Sequence, residues 1–246
     1  MKRTVVLGTE IDAVSLEEAV DRAVTIMASR KGAYAVTPNS EMLLQARKDP
    51  VLAAALRRAA LSLPDGVGVL LVSRILGCPI RERVCGIDFA WRLFDVMESE
   101  GKSVFLLGAK EGIADRAAER LKRSYPRLQI AGTHSGYFEP REEQALVRQI
   151  NAVSPDLLLV CLGSPKQELW MERVSSQLSV GLMAGLGGTL DVLAGTVRRA
   201  PESWQKCGME WLFRLLCQPR RIFRVMRIPG LFLTAIRTKI GGNTEI

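Results

Sequence analysis

A single acidic residue, Asp65, stands between a proline and a glycine in the stretch SLPDGVGV, residues 62–69. Aspartate is uncommon inside strands, and Pro-Asp-Gly is typical of a tight turn. Asp65 is therefore either a residue that only forms or caps a turn, or a general base held at the end of a strand. In the second case its carboxylate would accept a proton from a hydroxyl group that lies within about 3 Å.

Polar residues and glycines also follow four other short apolar runs of the chain. These turns are Thr37-Pro38-Asn39, Gly108-Ala109, Gly163-Ser164-Pro165 and Gly185-Leu186-Gly187-Gly188. The carboxyl ends of parallel strands meet at one edge of a sheet, and ligands bind in the crevice there. The sequence therefore predicts one crevice, lined by these four turns and by the Asp65 turn.

Two of these turns have the composition of an anion site. In LGSPKQELW, residues 162–170, a predicted strand runs through Gly163 into a helix, whose free N–H groups and dipole attract anions. Gln167 could add a donor, although a plain serine-capped turn explains the same residues equally well. In GLGGTLD, residues 185–191, the glycines allow close approach of a ligand, but the stretch matches neither common nucleotide-binding fingerprint.

The remaining chemistry-bearing residues limit the classes of reaction. Arg83, in RERVCG, could clamp a diphosphate, or it belongs to a solvated charge cluster. Because the chain lacks a DxD pair and has one histidine, His134, we expect neither a metal site nor a Ser-His-Asp triad. The stretch GAKEG, residues 108–112, lacks the dinucleotide fingerprint, so NAD or FAD binding is disfavoured.

The elements that must position these residues follow from apolar runs that alternate with helical patterns. From residue 103 onward, strands are predicted before helices at 112–124, 141–153 and 165–177, and a short helix is predicted to end near 194. This alternation predicts an α/β fold with a Rossmann-like parallel sheet and helices on both faces. We expect residues 1–195 to form this α/β domain, which would carry the catalytic residues.

Residues 196–246 differ from the rest of the chain in charge. They hold ten basic residues against three acidic ones and so carry +7 of the total charge of +8. Arginines alternate here with aromatic and aliphatic residues at helical spacing, which predicts a basic amphipathic helical appendage on an anionic surface. The alternative is a helix that packs on the domain with a solvated basic face. No run of about 18 uncharged apolar residues occurs, so we expect no transmembrane helix.

Eight motifs occur in an order that resembles the WecG/TagA/CpsF family of glycosyltransferases. They are TPNSEM, LPDGVGV, RVCGID, LLGA, THSGYF, LGSPKQE, GLGGTLDVLAGTVRRAP and GMEWLFRLLCQPRR. The resemblance implies an inverting, metal-independent transfer of a sugar, N-acetylmannosamine or a related hexose, from a UDP-sugar to a polyprenyl-diphosphate-linked GlcNAc. It places this reaction in the synthesis of teichoic acid or another cell-surface polysaccharide.

The resemblance also implies roles for particular residues. Asp65 corresponds to the general base, and Thr37 to the neighbouring polar residue that orients the sugar or the acceptor. The positions implied for UDP-sugar binding are Asn39, Arg83, Gly108, Tyr137, Gly163, Gln167, Gly187, Gly188 and Asp191. Arg214, Arg221 and Arg224 in the appendage would meet the lipid diphosphate or the membrane.

The expected partners are a UDP-sugar donor, a polyprenyl-diphosphate-linked acceptor and an anionic membrane surface, with self-association left open. We expect no cofactor and no nucleic acid. Five cysteines without a CxxC pair indicate a reducing compartment, so we expect a cytoplasmic protein at the inner face of the cell membrane. The alternatives are a nucleic-acid-binding protein, which the basic C-terminal segment permits, and an NAD(P)-binding Rossmann-like protein.

Overall fold

The computed structural model describes residues 3–29, 32–217 and 228–241, and strands alternate with helices along most of this length. The strands are β1 (Arg3–Val6), β2 (Thr9–Asp12), β3 (Tyr34–Val36), β4 (Leu61–Ser62), β5 (Ser103–Gly108), β6 (Gln129–His134), β7 (Leu157–Cys161) and β8 (Leu182–Gly185). Strands β3 to β8 form one sheet in the order β4-β3-β8-β7-β5-β6, and each neighbouring pair is parallel. The predicted α/β fold with a parallel sheet is confirmed.

Helices connect the strands and cover both faces of the sheet. They are α1 (Leu16–Ser29), α2 (Ser40–Ala46), α3 (Pro50–Arg58), α4 (Val67–Ile75), α5 (Gly86–Glu100), α6 (Ile113–Ser124), α7 (Glu143–Val153), α8 (Lys166–Val174), α9 (Thr189–Leu193), α10 (Glu202–Lys206), α11 (Glu210–Cys217) and α12 (Ile228–Ile240), with a 3₁₀ turn at Pro140–Glu142. The ends predicted from sequence differ from these bounds by up to three residues, as at α8, which was predicted to run to residue 177.

Alternate side chains of β5 belong to the two halves of the core. Val104 and Leu106 pack with α1, α5 and α6 on one face of the sheet, whereas Phe105 and Leu107 pack with α3, α7 and α8 on the other. All four are at most 1% exposed. Each buried side chain of this size contributes about 1.5–3 kcal/mol. The two packed faces explain why the central strands β5, β7 and β8 are almost entirely apolar, whereas the edge strand β6 keeps polar and partly exposed residues.

The first strand lies outside the central sheet. β1 pairs antiparallel with β2, and the two form a hairpin of their own. The buried carboxylate of Asp12 accepts hydrogen bonds from Arg3 Nε at 3.1 Å and from the backbone N–H of Ser62 at 2.7 Å. The hairpin is thereby attached to β4, the strand that leads directly into the Asp65 turn.

The C-terminal helix α12 packs on the hairpin side of the molecule. Leu231 and Ala235 are fully buried there in a cluster with residues of β1, α2 and α4. Leu233, Ile236 and Ile240 of the same helix are exposed. Among the residues that the structure describes, no helix is long and apolar enough to span a bilayer. Residues 218–227, where much of the basic amphipathic segment was predicted, lie outside the described residues.

Candidate active site

The side chain of Thr37 joins the loops that follow two neighbouring strands. Its hydroxyl donates to the carbonyl oxygen of Gly185 at 3.1 Å, across the carboxyl ends of β3 and β8. Thr37 is 6% exposed, so little of it can meet a ligand directly. The hydrogen bond fixes the distance between the Thr37-Asn39 turn and the glycine loop after β8.

The turn that carries Asp65 is held by backbone hydrogen bonds on both sides. The N–H of Asp65 donates to Pro38 O at 3.2 Å, and the N–H of Val84 donates to Pro64 O at 2.9 Å. Gly66 follows with a φ of +94°, a backbone conformation that residues other than glycine rarely adopt. Asp65 is therefore a half-buried carboxylate on a fixed turn at the crevice, as the sequence predicted.

A small pocket brings Asp65 and Thr37 together. It has a volume of about 40 Å³ and is also lined by Cys85, Gly86, Ile87, Leu186, Gly188, Thr189 and Val192. A water molecule occupies about 30 Å³ in the liquid, so this pocket has room for a hydroxyl-sized group beside the carboxylate. The two residues predicted as catalytic thus share one pocket with the glycine loop after β8.

Asn39 caps helix α2 and keeps part of its side chain available. Its Oδ1 accepts hydrogen bonds from the N–H groups of Glu41 and Met42 at 3.0 and 3.1 Å. This is the ordinary role of asparagine before a helix. The amide nitrogen makes no hydrogen bond to the described residues, so its two N–H groups remain as donors.

Arg83 lies just before α5 and contacts the appendage. Its Nη2 lies 3.3 Å from Oε2 of Glu210, the first residue of α11. The side chain of Arg83 is 20% exposed, whereas that of Glu210 is 5% exposed. The ion pair spans 127 positions of sequence, and the sequence analysis did not anticipate it.

Gln167 and Glu168 form a buried polar chain behind the glycine loop. Gln167 Oε1 accepts from the N–H of Gly187 at 3.1 Å, while Gln167 Nε2 donates to Glu168 Oε1 at 2.8 Å. Both residues are at most 1% exposed. Burial raises the pKa of the Glu168 carboxyl, and the Gln167 amide acts in the opposite direction. Gln167 is thus placed to hold the loop, and its direct contact with a diphosphate stays a prediction.

Sequence reasoning missed Glu168, although it stands beside Gln167. An acidic residue near the start of a helix normally faces solvent and favours the helix dipole. Glu168 stands one helical turn before Met171, on the apolar side of α8 that faces the sheet. This spacing is the sequence signal that could have revealed the burial of Glu168.

The predicted glycines occupy three loops of the same edge. Gly163, φ +78°, precedes a cis Ser164-Pro165 bond at the start of α8, and Gly187, φ +53°, and Gly188 precede α9. Gly108, φ +139°, is buried, and a Cβ there would lie 2.3 Å from the carbonyl oxygen of Cys161. Gly108 therefore permits close packing of β5 against β7. Contact of any of the four with a UDP-sugar stays a prediction.

Asp191 and Tyr137 belong to the segments that follow β8 and β6, respectively. Asp191 is in the first turn of α9, and its backbone oxygen accepts from the N–H groups of Thr196 and Val197. Tyr137 is 74% exposed in the loop after β6, next to Gly136, whose carbonyl oxygen accepts from Lys166 Nζ at 3.1 Å. An exposed ring at the crevice can cover a flat base by stacking.

The positions predicted for lipid contact are described only in part. Arg214 belongs to α11, while Arg221 and Arg224 lie outside the described residues. Within the described ranges, no three His, Cys, Asp or Glu side chains gather as they would around a metal ion. His134 Nδ1 lies 2.8 Å from the carbonyl oxygen of Ser135, so the histidine is engaged locally.

The parallel sheet with helices on both faces and a pocket at its strand ends is a Rossmann-like α/β fold, and comparison with known proteins gives the family of the chain. The model of the glycosyl transferase WecG/TagA/CpsF family matches residues 4–245, so the chain belongs to this family. It is 37% identical over 212 residues to the N-acetylglucosaminyldiphosphoundecaprenol N-acetyl-beta-D-mannosaminyltransferase of Bacillus spizizenii, an alignment that covers 86% of this chain and 81% of the relative. The protein with the same description from Bacillus subtilis is 33% identical over 213 residues, with 87% and 82% covered.

Proposed function

We propose that this glycosyltransferase moves N-acetylmannosamine, or a related hexose, from a UDP-sugar to a polyprenyl-diphosphate-linked GlcNAc, with inversion at the anomeric carbon. The two Bacillus relatives are described as transferring N-acetylmannosamine to GlcNAc-diphosphoundecaprenol. The observation that carries the proposal is the pocket in which Asp65 and Thr37 meet beside the glycine loop after β8. This reaction belongs to the synthesis of teichoic acid or a related surface polysaccharide.

The proposed reaction is one in-line displacement. The acceptor hydroxyl attacks the anomeric carbon, and its proton passes to the Asp65 carboxylate as the new glycosidic bond forms. The bond between the anomeric carbon and the UDP oxygen breaks, and its electron pair stays on the departing diphosphate. The Asp65 turn suits this role because backbone hydrogen bonds to both neighbouring segments hold the turn in place.

The departing diphosphate needs positive charge and N–H donors. Arg83, the amide of Asn39 and the N–H of Gly188 are the candidate groups to supply them. Gln167 already accepts the Gly187 N–H and so supports this loop from behind. Asp191 and the exposed Tyr137 ring are the candidate contacts for the uridine part.

The acceptor carries a long lipid, so the protein must meet a membrane surface. Trp211, Leu216, Leu233 and Ile240, all in the C-terminal helices, are exposed apolar side chains, and α12 ends with Arg237 and Lys239. Apolar side chains beside basic ones bind an anionic bilayer at its interface. We place the protein at the inner face of the cell membrane, and residues 196–246 form the membrane-facing appendage of the 1–195 catalytic domain.

The decisive experiment is a product assay with the full chain. A panel of UDP-sugars is offered with a short-chain polyprenyl-diphosphate-GlcNAc, and products are identified by mass spectrometry. We expect UDP-N-acetylmannosamine to give a product one N-acetylhexosamine heavier. Transfer from no UDP-sugar would refute the proposed activity.

Asp65→Asn tests the base in the same assay. Because the amide cannot accept the proton, we expect turnover to fall by about 10²-fold or more, while UDP still raises the melting temperature as in the unchanged protein. Asp21→Asn, an exposed site on α1 with the same change of charge, is the matched control. Near-normal turnover in Asp65→Asn would remove this residue from the mechanism.

A further inference from the structure

The appendage reaches the crevice through a buried carboxylate. Glu210 starts α11, is 3% exposed, and lies 3.3 Å from Arg83 Nη2 and 4.0 Å from the sulfur of Cys85. Cys85 lines the pocket of Asp65. A buried carboxylate within contact of an arginine beside a reaction pocket requires an explanation, because removing it from water is costly.

Neighbouring contacts fix the position of Glu210. The turn before α11 packs closely on the start of α4, where a Cβ on Gly208 would lie 3.1 Å from Cγ2 of Val67. Earlier in the same segment, Arg199 Nη2 lies 2.5 and 2.6 Å from the two carboxylate oxygens of Asp88 in the first turn of α5. The segment is thus attached to both elements that flank the pocket.

The contact with Glu210 leaves part of the Arg83 guanidinium available to another partner. Arg83 keeps 20% of its side chain exposed, against 5% for Glu210. Only the Nη2 group of the guanidinium contacts the carboxylate, so N–H groups on Nε and Nη1 remain for another partner. Glu210 therefore engages one end of the guanidinium and leaves its other N–H groups available to a ligand.

We propose that Glu210 is a positioning residue: it orients the Arg83 guanidinium so that its remaining N–H groups meet the diphosphate of the donor. This inference rests on the proposed function, in which Arg83 binds that diphosphate. An arginine held by a carboxylate loses less side-chain entropy when a ligand binds, since its orientation is already set. Through Glu210, the appendage thus contributes an acidic residue to donor binding.

The test measures UDP affinity by calorimetry, together with KM and kcat for the donor, in Glu210→Gln and Glu210→Ala. We expect UDP affinity to fall and donor KM to rise by about tenfold in Glu210→Ala, less in Glu210→Gln, with kcat within about twofold. Glu210→Asp keeps the charge and is expected to recover part of the affinity. Glu202→Gln, an exposed acid of the same segment, is the control with the same change of charge.

A double-mutant cycle with Arg83→Lys and Arg83→Ala separates the possible failures. If Glu210 acts through Arg83, its substitution has little further effect on UDP affinity once Arg83 is alanine. An equal loss in that background, or unchanged or tighter UDP binding in Glu210→Ala, overturns the positioning role. If Arg83→Ala and Arg83→Lys both leave UDP affinity unchanged, the diphosphate role of Arg83 in the proposed function fails as well. Thermal unfolding of each variant identifies any loss that is due to misfolding.

Discussion

Asp65 owes its place to backbone geometry that its own sequence neighbourhood encodes. Pro64 and Gly66 predict a turn, and the structure holds that turn through Pro38 and Val84. A carboxylate on a turn held in this way needs little backbone rearrangement when a hydroxyl group arrives, which favours proton transfer. For this reason the candidate base was recognisable from eight residues of sequence.

The partners of Arg83 and Gln167 were not recognisable in the same way. Glu210 is 127 positions from Arg83, and nothing local in either stretch indicates that they meet. Gln167 reads in sequence as a free donor at a helix start, yet its amide is bonded at both ends inside the protein. Long-range pairing decides which polar groups remain for a ligand, and a single sequence does not contain that information.

The buried acid Glu168 predicts a pH dependence of stability. Burial raises its pKa in the folded protein above the ordinary value of 4.5, so the folded state binds more protons than the unfolded state between the two values. The contribution of this group to the free energy of unfolding therefore falls as pH rises through that window. Glutamine does not titrate, so this loss is absent in Glu168→Gln. We therefore expect the free energy of unfolding of the variant to increase, relative to that of the unchanged protein, as pH rises from 4 to 7.

Urea unfolding at a series of pH values measures this difference. The exposed Glu119→Gln on α6 serves as the control, since both states of that residue are solvated. A difference between Glu168→Gln and the unchanged protein that stays constant with pH would contradict the assigned burial effect.

At the scale of elements, the central sheet was predictable because strands covered on both faces are continuous apolar runs. The hairpin was not, since Leu7 and Gly8 form its two-residue turn with φ +50° and +81°. Leucine is unusual in such a turn, where Asn or Gly is preferred. The stretch TVVLG, residues 4–8, therefore predicts one continuous strand and gives no sign of a turn. The packing of β2 on β4 through Asp12 supplies what the local signal lacks.

Close packing of β5 on β7 gives a prediction for Gly108. A methyl group there meets the carbonyl of Cys161 at 2.3 Å, and the φ of +139° disfavours any side chain. We expect Gly108→Ala to lower the free energy of unfolding by about 3 kcal/mol or more, from strain and overpacking together. Gly112→Ala, at φ +75° with no atom within 4 Å of a new Cβ, should cost only about 1–2 kcal/mol.

Chemical denaturation of the two variants provides the comparison. Donor KM measured on the folded fraction then shows whether Gly108 also contacts the UDP-sugar, which remains a prediction from the resemblance. Equal destabilisation by the two substitutions would argue against the strand-packing role.

At the scale of the whole molecule, the excess of basic residues in 196–246 favoured a membrane-facing appendage. This charge pattern did not predict that α12 packs against the domain. Leu231 and Ala235 are buried with residues of β1, α2 and α4, so deletion of residues 196–246 would uncover apolar surface on the domain. Substitutions at exposed positions therefore test membrane binding more cleanly than truncation does.

Leu216 and Ile240 are the positions of choice, at 65% and 81% exposure. Glutamate at both removes apolar contact and adds repulsion from anionic lipid, so we expect binding to anionic vesicles to weaken by about tenfold or more in a flotation assay. The double variant Val51→Glu/Val153→Glu, on α3 and α7, carries the same change of charge away from the appendage. If the two double variants bind vesicles alike, the appendage is not the membrane-facing surface.

The hydrogen bond between Asp12 and the N–H of Ser62 makes the hairpin of residues 3–12 a support of the Asp65 turn. Any local opening that lifts the hairpin away frees the Ser62 amide hydrogen to exchange with solvent. The Asp65 turn begins two residues later and loses part of its support in the same event. Opening of the β1–β2 hairpin and the conformational stability of the Asp65 turn are thereby coupled.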